Sequence, residues 1–415
     1  MPISTQNSPA GSLPGSQMKP ALARLRHLFL RSLAGSAALL SAHAEMSISP
    51  PPPAPSWTGA ANDGLWTSPA NWSGGIPNAV GAQATFSTPA VPTTVALNGG
   101  KTVGLIVFNN PSTYTIGSSA DTLTLDNGAS PAGISVQSGM HHIAANLTLS
   151  SNLSVSAAAG SKIILDGEIF GSKSLISSGS VALTSPTHYT GPTQITTGTL
   201  ALSGDATFGG SASIRVESPA TLDVNDVDTL FSVQASQNLV NLGVVSGNLE
   251  VFGTLSGSGL QDGTVYLAAG GHLAPGDGVG TLTFGAGLEL TNGGITDFEL
   301  GNSSDLLRIA GGTFLGCGLA GVTVNFNQGL AFTPGQYVLI DWTGATADGV
   351  QATDFKAGQL ASTLQAEFVV VGETLRVNIQ NVPEPGSLLL AGFGVLSLLG
   401  ARRFRNSSAF AGSGS

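Results

Sequence analysis

Between residues 93 and 380 the chain is written in short alternating runs. Leu, Ile and Val occupy every second position, and Thr, Ser and Asn fill the places between them. Thr102-Val103-Gly104-Leu105-Ile106-Val107-Phe108 is one such run, closed by Asn109-Asn110-Pro111; Asp121-Thr122-Leu123-Thr124-Leu125-Asp126 is another, closed by Asn127-Gly128. Tyr114–Ile116, Gly133–Val136, His142–Ala144, Asn146–Leu149, Leu153–Val155 and Lys162–Leu165 continue the series. Successive side chains of a strand point to opposite faces, so this alternation predicts sheet with one dry and one wet side. No stretch of helical periodicity interrupts it. Turn residues recur roughly every seven to twelve positions, which fits either a β-sandwich or a stack of β-coils. A sandwich needs only about 100 residues. A pattern of nearly three times that length favours an all-β β-helix over residues 93–380, with sandwich pieces as the alternative.

Residues 179–202 sharpen that expectation. They read Gly179-Ser180-Val181-Ala182-Leu183, His188-Tyr189-Thr190-Gly191, Thr193-Gln194-Ile195 and Gly198-Thr199-Leu200-Ala201-Leu202. This resembles the autotransporter-associated β-strand repeat, with Pro192 at an inserted position. Gly270-Gly271-His272-Leu273-Ala274-Pro275-Gly276-Asp277 and Ser304-Asp305-Leu306-Leu307-Arg308-Ile309 resemble later strands of the same passenger-like proteins. The resemblance implies that the β-helix is a right-handed parallel one. After Gly335–Trp342 the spacing loosens, and the strands at 367–371 and 374–379 read as a closing cap or a small sandwich.

Composition then narrows the class. Only 9% of the 415 residues are charged, and 57 are glycine, against about 25% charged in an ordinary soluble domain. Four of the 14 basic residues (Lys19, Arg24, Arg26, Arg31) lie before residue 45, and three (Arg402, Arg403, Arg405) lie after residue 385. Seven remain between, against all 24 acidic residues. That balance excludes a nucleic-acid partner, which calls for a basic surface. The single cysteine, Cys317, leaves no internal disulfide and no zinc spacing. No cofactor or metal is expected.

The two ends carry addressing signals. Met18 opens a basic stretch (Lys19, Arg24, Arg26), followed by small apolar residues at 32–42 and by Ala42-His43-Ala44. Basic, apolar and small-x-small in that order predict a signal peptide over residues 1–44, with translation starting at Met18 and cleavage after Ala44. Residues 45–56 hold Pro50–Pro53 and Pro55 and form a stiff spacer. Trp57, Trp66 and Trp72 follow within residues 57–92. They are read as a cap over the first coil, or else as an aromatic platform for glycan stacking.

At the other end stands Val382-Pro383-Glu384-Pro385, then an uncharged run at 386–401, then Arg402-Arg403-Phe404-Arg405. Two prolines hold the backbone extended around the glutamate, open to a processing enzyme's groove. Sixteen apolar residues would make a helix of roughly 24 Å, a little short of a ~30 Å hydrocarbon core, with the arginines as a cytoplasmic stop. This order closely resembles the PEP-CTERM sorting signal of Gram-negative bacteria, here over residues 381–405. The resemblance implies that an exosortase-like membrane transpeptidase recognises Pro383, Glu384 and Pro385. It further implies export through the inner membrane to the cell surface or medium, in association with exopolysaccharide. Residues 406–415, Gly/Ser-rich, read as a disordered tail.

Catalytic chemistry is weakly signalled. A glycosidase needs two carboxylates roughly 5–10 Å apart. The acidic clusters are Asp223, Asp226 and Asp228, and Asp297 with Glu299, which share a strand face; acids on a wet face usually serve solubility. Calcium at 223–228 lacks the EF-hand or nonapeptide spacing. His141-His142 should point one ring inward and one outward. The expectation is a non-catalytic exported protein, with a carbohydrate-binding adhesin or a polysaccharide-active β-helix enzyme as alternatives.

Overall fold

The computed structural model describes residues 54–87, 93–318 and 321–383, all within one compact unit, Pro53–Ser415. Among them the chain is almost wholly strand. Its helical segments are two single 3₁₀ turns, Pro69–Asn71 and Ala352–Asp354, and no helix is long and apolar enough to cross a membrane. The strands stack as a parallel β-solenoid of about ten turns. A typical coil lays one strand on each of three walls. The first wall runs through Gln83–Phe86, Leu105–Asn109, Ala132–Ser138 and Leu153–Ala157, and on to Phe355–Ala357. The second runs from Thr94–Val95 through Met140–Ile143 and Lys162–Leu165 to Leu306–Ile309 and Gly335–Asp341.

The third wall is built in two pieces. Lys101–Val103, Thr122–Leu125, Asn146–Leu149 and Ile169–Gly171 form one. The six strands from Phe231–Val233 to Thr346–Asp348 form the other. Between them, Leu175–Leu183 and Thr193–Gly204 bend across the first two walls as long continuous strands. The third wall there has no regular strand; it is held by the bridge of Ile169 to Thr187 and by single bonds from His188 N–H to Ile169 O at 2.7 Å, Thr190 N–H to Gly171 O at 2.9 Å and Thr187 N–H to Thr207 O at 3.1 Å.

The alternation seen in the sequence becomes columns of like residues. On the first wall Ala132, Leu153, Leu175, Thr193, Ile214, Leu239, Leu255 and Leu273 lie in register, all buried. On the second, His141 heads a column of Ile163, Val181, Leu200, Leu222, Val245, Gln261, Phe284 and Ile309. Each fully buried Leu or Ile contributes about 1.5–3 kcal/mol. A parallel ladder can hold such columns because both of its neighbours are more of the same coil. Two amides admitted to the interior are tied to backbone, the Gln261 amide donating to Gly247 O at 2.6 Å and the Asn241 amide to Leu260 O at 2.9 Å, whereas the Ser177 and Thr296 hydroxyls are buried without a hydrogen-bond partner.

Glycine makes the corners. The run expected as one strand over 102–108 is two, Lys101–Val103 and Leu105–Asn109, broken at Gly104. A Cβ there would stand 2.7 Å from Gly81 Cα, so the chain turns where only hydrogen fits. At the far end Gly335–Asp341, Thr374–Asn381 and Leu364–Val371 form an antiparallel closing sheet.

Candidate functional site

The first coil is sealed by an aromatic plug. Trp57 and Trp66 are fully buried and Trp72 nearly so. Their rings meet edge to face, Trp57–Trp72 at 5.1 Å and Trp66–Trp72 at 4.7 Å, over Phe86. Phe86 stacks on Phe108 at 5.2 Å, and Phe108 on the His141 imidazole at 4.4 Å. The indole N–H of Trp66 donates to Pro77 O at 2.9 Å and that of Trp72 to Trp66 O at 2.8 Å. The loop carrying them is pinned by Asp63, whose carboxylate accepts from the Ser68 hydroxyl, from Leu65 N–H and from the Asn71 amide. These bonds, Ser68 foremost, hold its pKa below the usual carboxylate value. Glycan stacking on Trp57, Trp66 and Trp72 is therefore corrected: aromatic faces that must stay open for a sugar are here closed against one another. The apolar area of an end coil outweighs what an exposed platform would keep in water.

His141 and His142 divide as the alternation requires. His141 is fully buried, with Nδ1 accepting Tyr114 N–H at 3.1 Å and Nε2 bonded to Ser138 O at 2.8 Å. Burial pushes its pKa below the ordinary value. His142 faces outward and pairs with Asp166 at 2.8 Å.

Two more such pairs cross between coils: His188 with Glu168 at 3.2 Å and His272 with Asp297 at 2.7 Å. Asp297, shared further with the Asn325 amide at 2.7 Å, is thus engaged in bracing the wall. Asp223 is likewise bonded to Asn225, which reaches Ser246, which in turn reaches Asp262. Among the described residues no cluster of three or more His, Cys, Asp or Glu is arranged to hold a metal. The partners in these pairs lie about one coil apart in sequence, a spacing that could have announced them.

Asp305 was not anticipated. It is 3% exposed and accepts Glu299 N–H at 2.6 Å and Gly280 N–H at 2.8 Å, joining two turns. Burial pushes its pKa up to about 6, against the pull of those two bonds. Cys317 is half-buried, and burial, then the nearby Asp354, raises its thiol pKa.

The last described strand, Thr374–Asn381, lies between two antiparallel neighbours. One further bond, Val382 N–H to Thr363 O at 2.7 Å, ends the fold, and Val382 and Pro383 emerge exposed. Residues 381–405 match the PEP-CTERM protein-sorting motif. The chain carries that signal. It marks an exported protein, processed at the membrane by an exosortase-type enzyme and displayed at the cell surface. No curated protein matches the chain. The PEP-CTERM motif thus begins on the last residue of the closing sheet, and its Pro383 already stands free of the fold. Glu384, Pro385, the apolar run and Arg402, Arg403 and Arg405 lie outside the described residues, as do Ala42 and Ala44 of the expected cleavage site.

Proposed function

We propose that this protein is a non-catalytic structural element of the cell exterior, a rigid β-solenoid released from or held at the surface and associated with exopolysaccharide. The observation that carries the reading is the hand-over at Asn381–Pro383: the solenoid is closed by its own hairpin, and the processing motif follows without a linker. A processing enzyme would thus receive a finished rod with an extended peptide at its end. The walls suit a hydrated polymer network, because strands such as Thr122–Leu125, Asn146–Leu149 and Thr281–Phe284 turn their Thr and Asn positions toward solvent while the net charge stays negative. The acids most suggestive of catalysis, Asp297 and Glu299, support bracing instead, as Asp297 is held by His272 and Asn325.

The test is mass spectrometry of both termini of the protein isolated from its host, with co-sedimentation against the host's own exopolysaccharide. Termini at Glu45 and near Pro385, with co-sedimentation, are the expected result. A chain retaining residues 386–405 in the membrane fraction would overturn the processing step. Absence of co-sedimentation would overturn the polysaccharide association.

A further inference from the structure

The break in the third wall leaves a feature that the solenoid itself does not need. On either side of the segment Val227–Phe231 lie two adjoining hollows of about 330 and 320 Å³, each within the range of small-ligand sites. Their shared edge is Leu230, 41% exposed; the buried Phe231 lines both, and Phe208, edge to face with it at 6.2 Å, completes the floor of the first. Thr207, Thr229, Ser232 and Gln234 supply hydroxyl and amide groups around it.

Both rims are aromatic. On one side Phe170, 38% exposed, stacks on His188 at 5.0 Å. From there Gly209 and Gly210 lie against Thr187 and His188 of the preceding coil, where a Cβ on Gly210 would come within 3.0 Å of His188 backbone. These two glycines leave the wall bare between the aromatic stack and the first hollow. On the other side Ser232, Glu250 and Tyr266 follow in register on the rebuilt wall. From Phe170 to Tyr266 is about five coil steps, roughly 24 Å at ~4.8 Å per strand.

We infer that this interrupted wall is a binding groove for a neutral oligosaccharide, seated on Phe170–His188, Leu230 and Tyr266 with its hydroxyls on the amides and hydroxyls of the hollows. Asp228 is the one charged side chain lining the hollows. Glu168 and Glu250 flank them, and no Lys or Arg lines them, so a uronate or sulfated chain would meet repulsion with no compensating cation. A neutral sugar offers apolar faces to rings and Leu230, and hydroxyls to carboxylates and amides. The inference rests on the association with exopolysaccharide proposed above and specifies where it occurs and with which class of sugar.

The experiment is calorimetric titration of the full-length protein with maltohexaose, cellohexaose and chitohexaose, and with an oligogalacturonate of equal length. Variants Phe170→Ala and Thr229→Arg are run alongside; both residues are solvent-accessible, and thermal melts check that the fold is kept. Binding of at least one neutral hexamer, weakened about tenfold by each variant and absent for oligogalacturonate, is the expected result. Failure of all three neutral hexamers to bind, equal binding by the variants, or preference for oligogalacturonate would each overturn the groove. Co-sedimentation of wild type and variants with the host exopolysaccharide separates the two readings. If both sediment equally the association stands and the groove falls, whereas hexamer binding without sedimentation leaves the groove and removes the association.

Discussion

Replacing Trp66 by Ala tests whether the aromatic plug closes the solenoid. The indole is fully buried, 4.7 Å from Trp72 and 6.0 Å from Phe86, with its N–H on Pro77 O. Burial of about 200 Å² at ~25 cal/mol per Å² gives an upper value of about 5 kcal/mol. Large-to-small core substitutions at such sites cost about 3–5 kcal/mol. The lost hydrogen bond contributes about 1 kcal/mol within that range. The expected loss is therefore about 4 kcal/mol. In a stack where each coil contacts only its neighbours, the loss should be felt first at the end it uncovers. Hydrogen exchange resolved by segment reads this directly. Amides of Gln83–Phe86 and Leu105–Asn109 should lose protection by two to three orders of magnitude, while those of Leu282 and Leu307 stay as they were. A Trp66→Phe variant should recover about half the loss. If Trp66→Ala changed stability by less than about 0.5 kcal/mol, the size expected of a surface substitution, the plug would not be closing the core and the argument would fail.

Acidification should move the two ends in opposite directions. His141 has a lowered folded pKa, so its contribution is present above the unfolded value of about 6.5 and is lost as pH falls below it. Asp305 has a raised folded pKa, about 6, so its contribution is present below the unfolded value of about 3.9 and is lost as pH rises through 6. From pH 6.5 down to 4, protection relative to the intrinsic exchange rate should fall around Met140–Ile143 and rise around Leu306–Ile309; Asp305→Asn should abolish the second effect and leave the first. Gly179→Ala should cost about 1–3 kcal/mol or more in a denaturant titration, because Gly179 has φ +76° and its Cβ would fall 1.9 Å from Ala157 O. A cost under 0.5 kcal/mol would mean that the coil can shift to admit it.

The class of fold was legible because a solenoid repeats one local rule. Lys162–Leu165 and Asn146–Leu149 are strands with the bounds their alternation predicts, and residues 179–183 and 198–202 pair as adjacent coils. Corners were harder. Thr102–Phe108 reads as one continuous apolar-rich run, and only Gly104 reveals that the chain leaves one wall for the next. The sorting motif was legible because its parts act as a linear peptide and need no fold to be read. The interrupted third wall was hidden, since the segments that leave it without a strand, between Leu183 and Thr193 and between Gly204 and Ser213, carry the same Tyr, Thr, Phe and Gly residues that serve strands and turns elsewhere in the chain. Asp305 was hidden for a related reason: its burial comes from a turn of the preceding coil, which no neighbour in sequence announces.

The position of Thr374–Asn381 between Gly335–Asp341 and Leu364–Val371 has a mechanical meaning. A load drawn along this strand from its sorting end would pull against bonds on both edges at once, in register from Thr374 to Asn381 on one side and, with one bulge between Val338 and Ile340, from Thr374 to Ile379 on the other. That is shear, in which many bonds must break together. A pull on the opposite terminus would peel coils one at a time, each yielding a few bonds before the next is strained. The rod is therefore mechanically polar, and the strand that leads to the point of processing is the one best placed to bear tension.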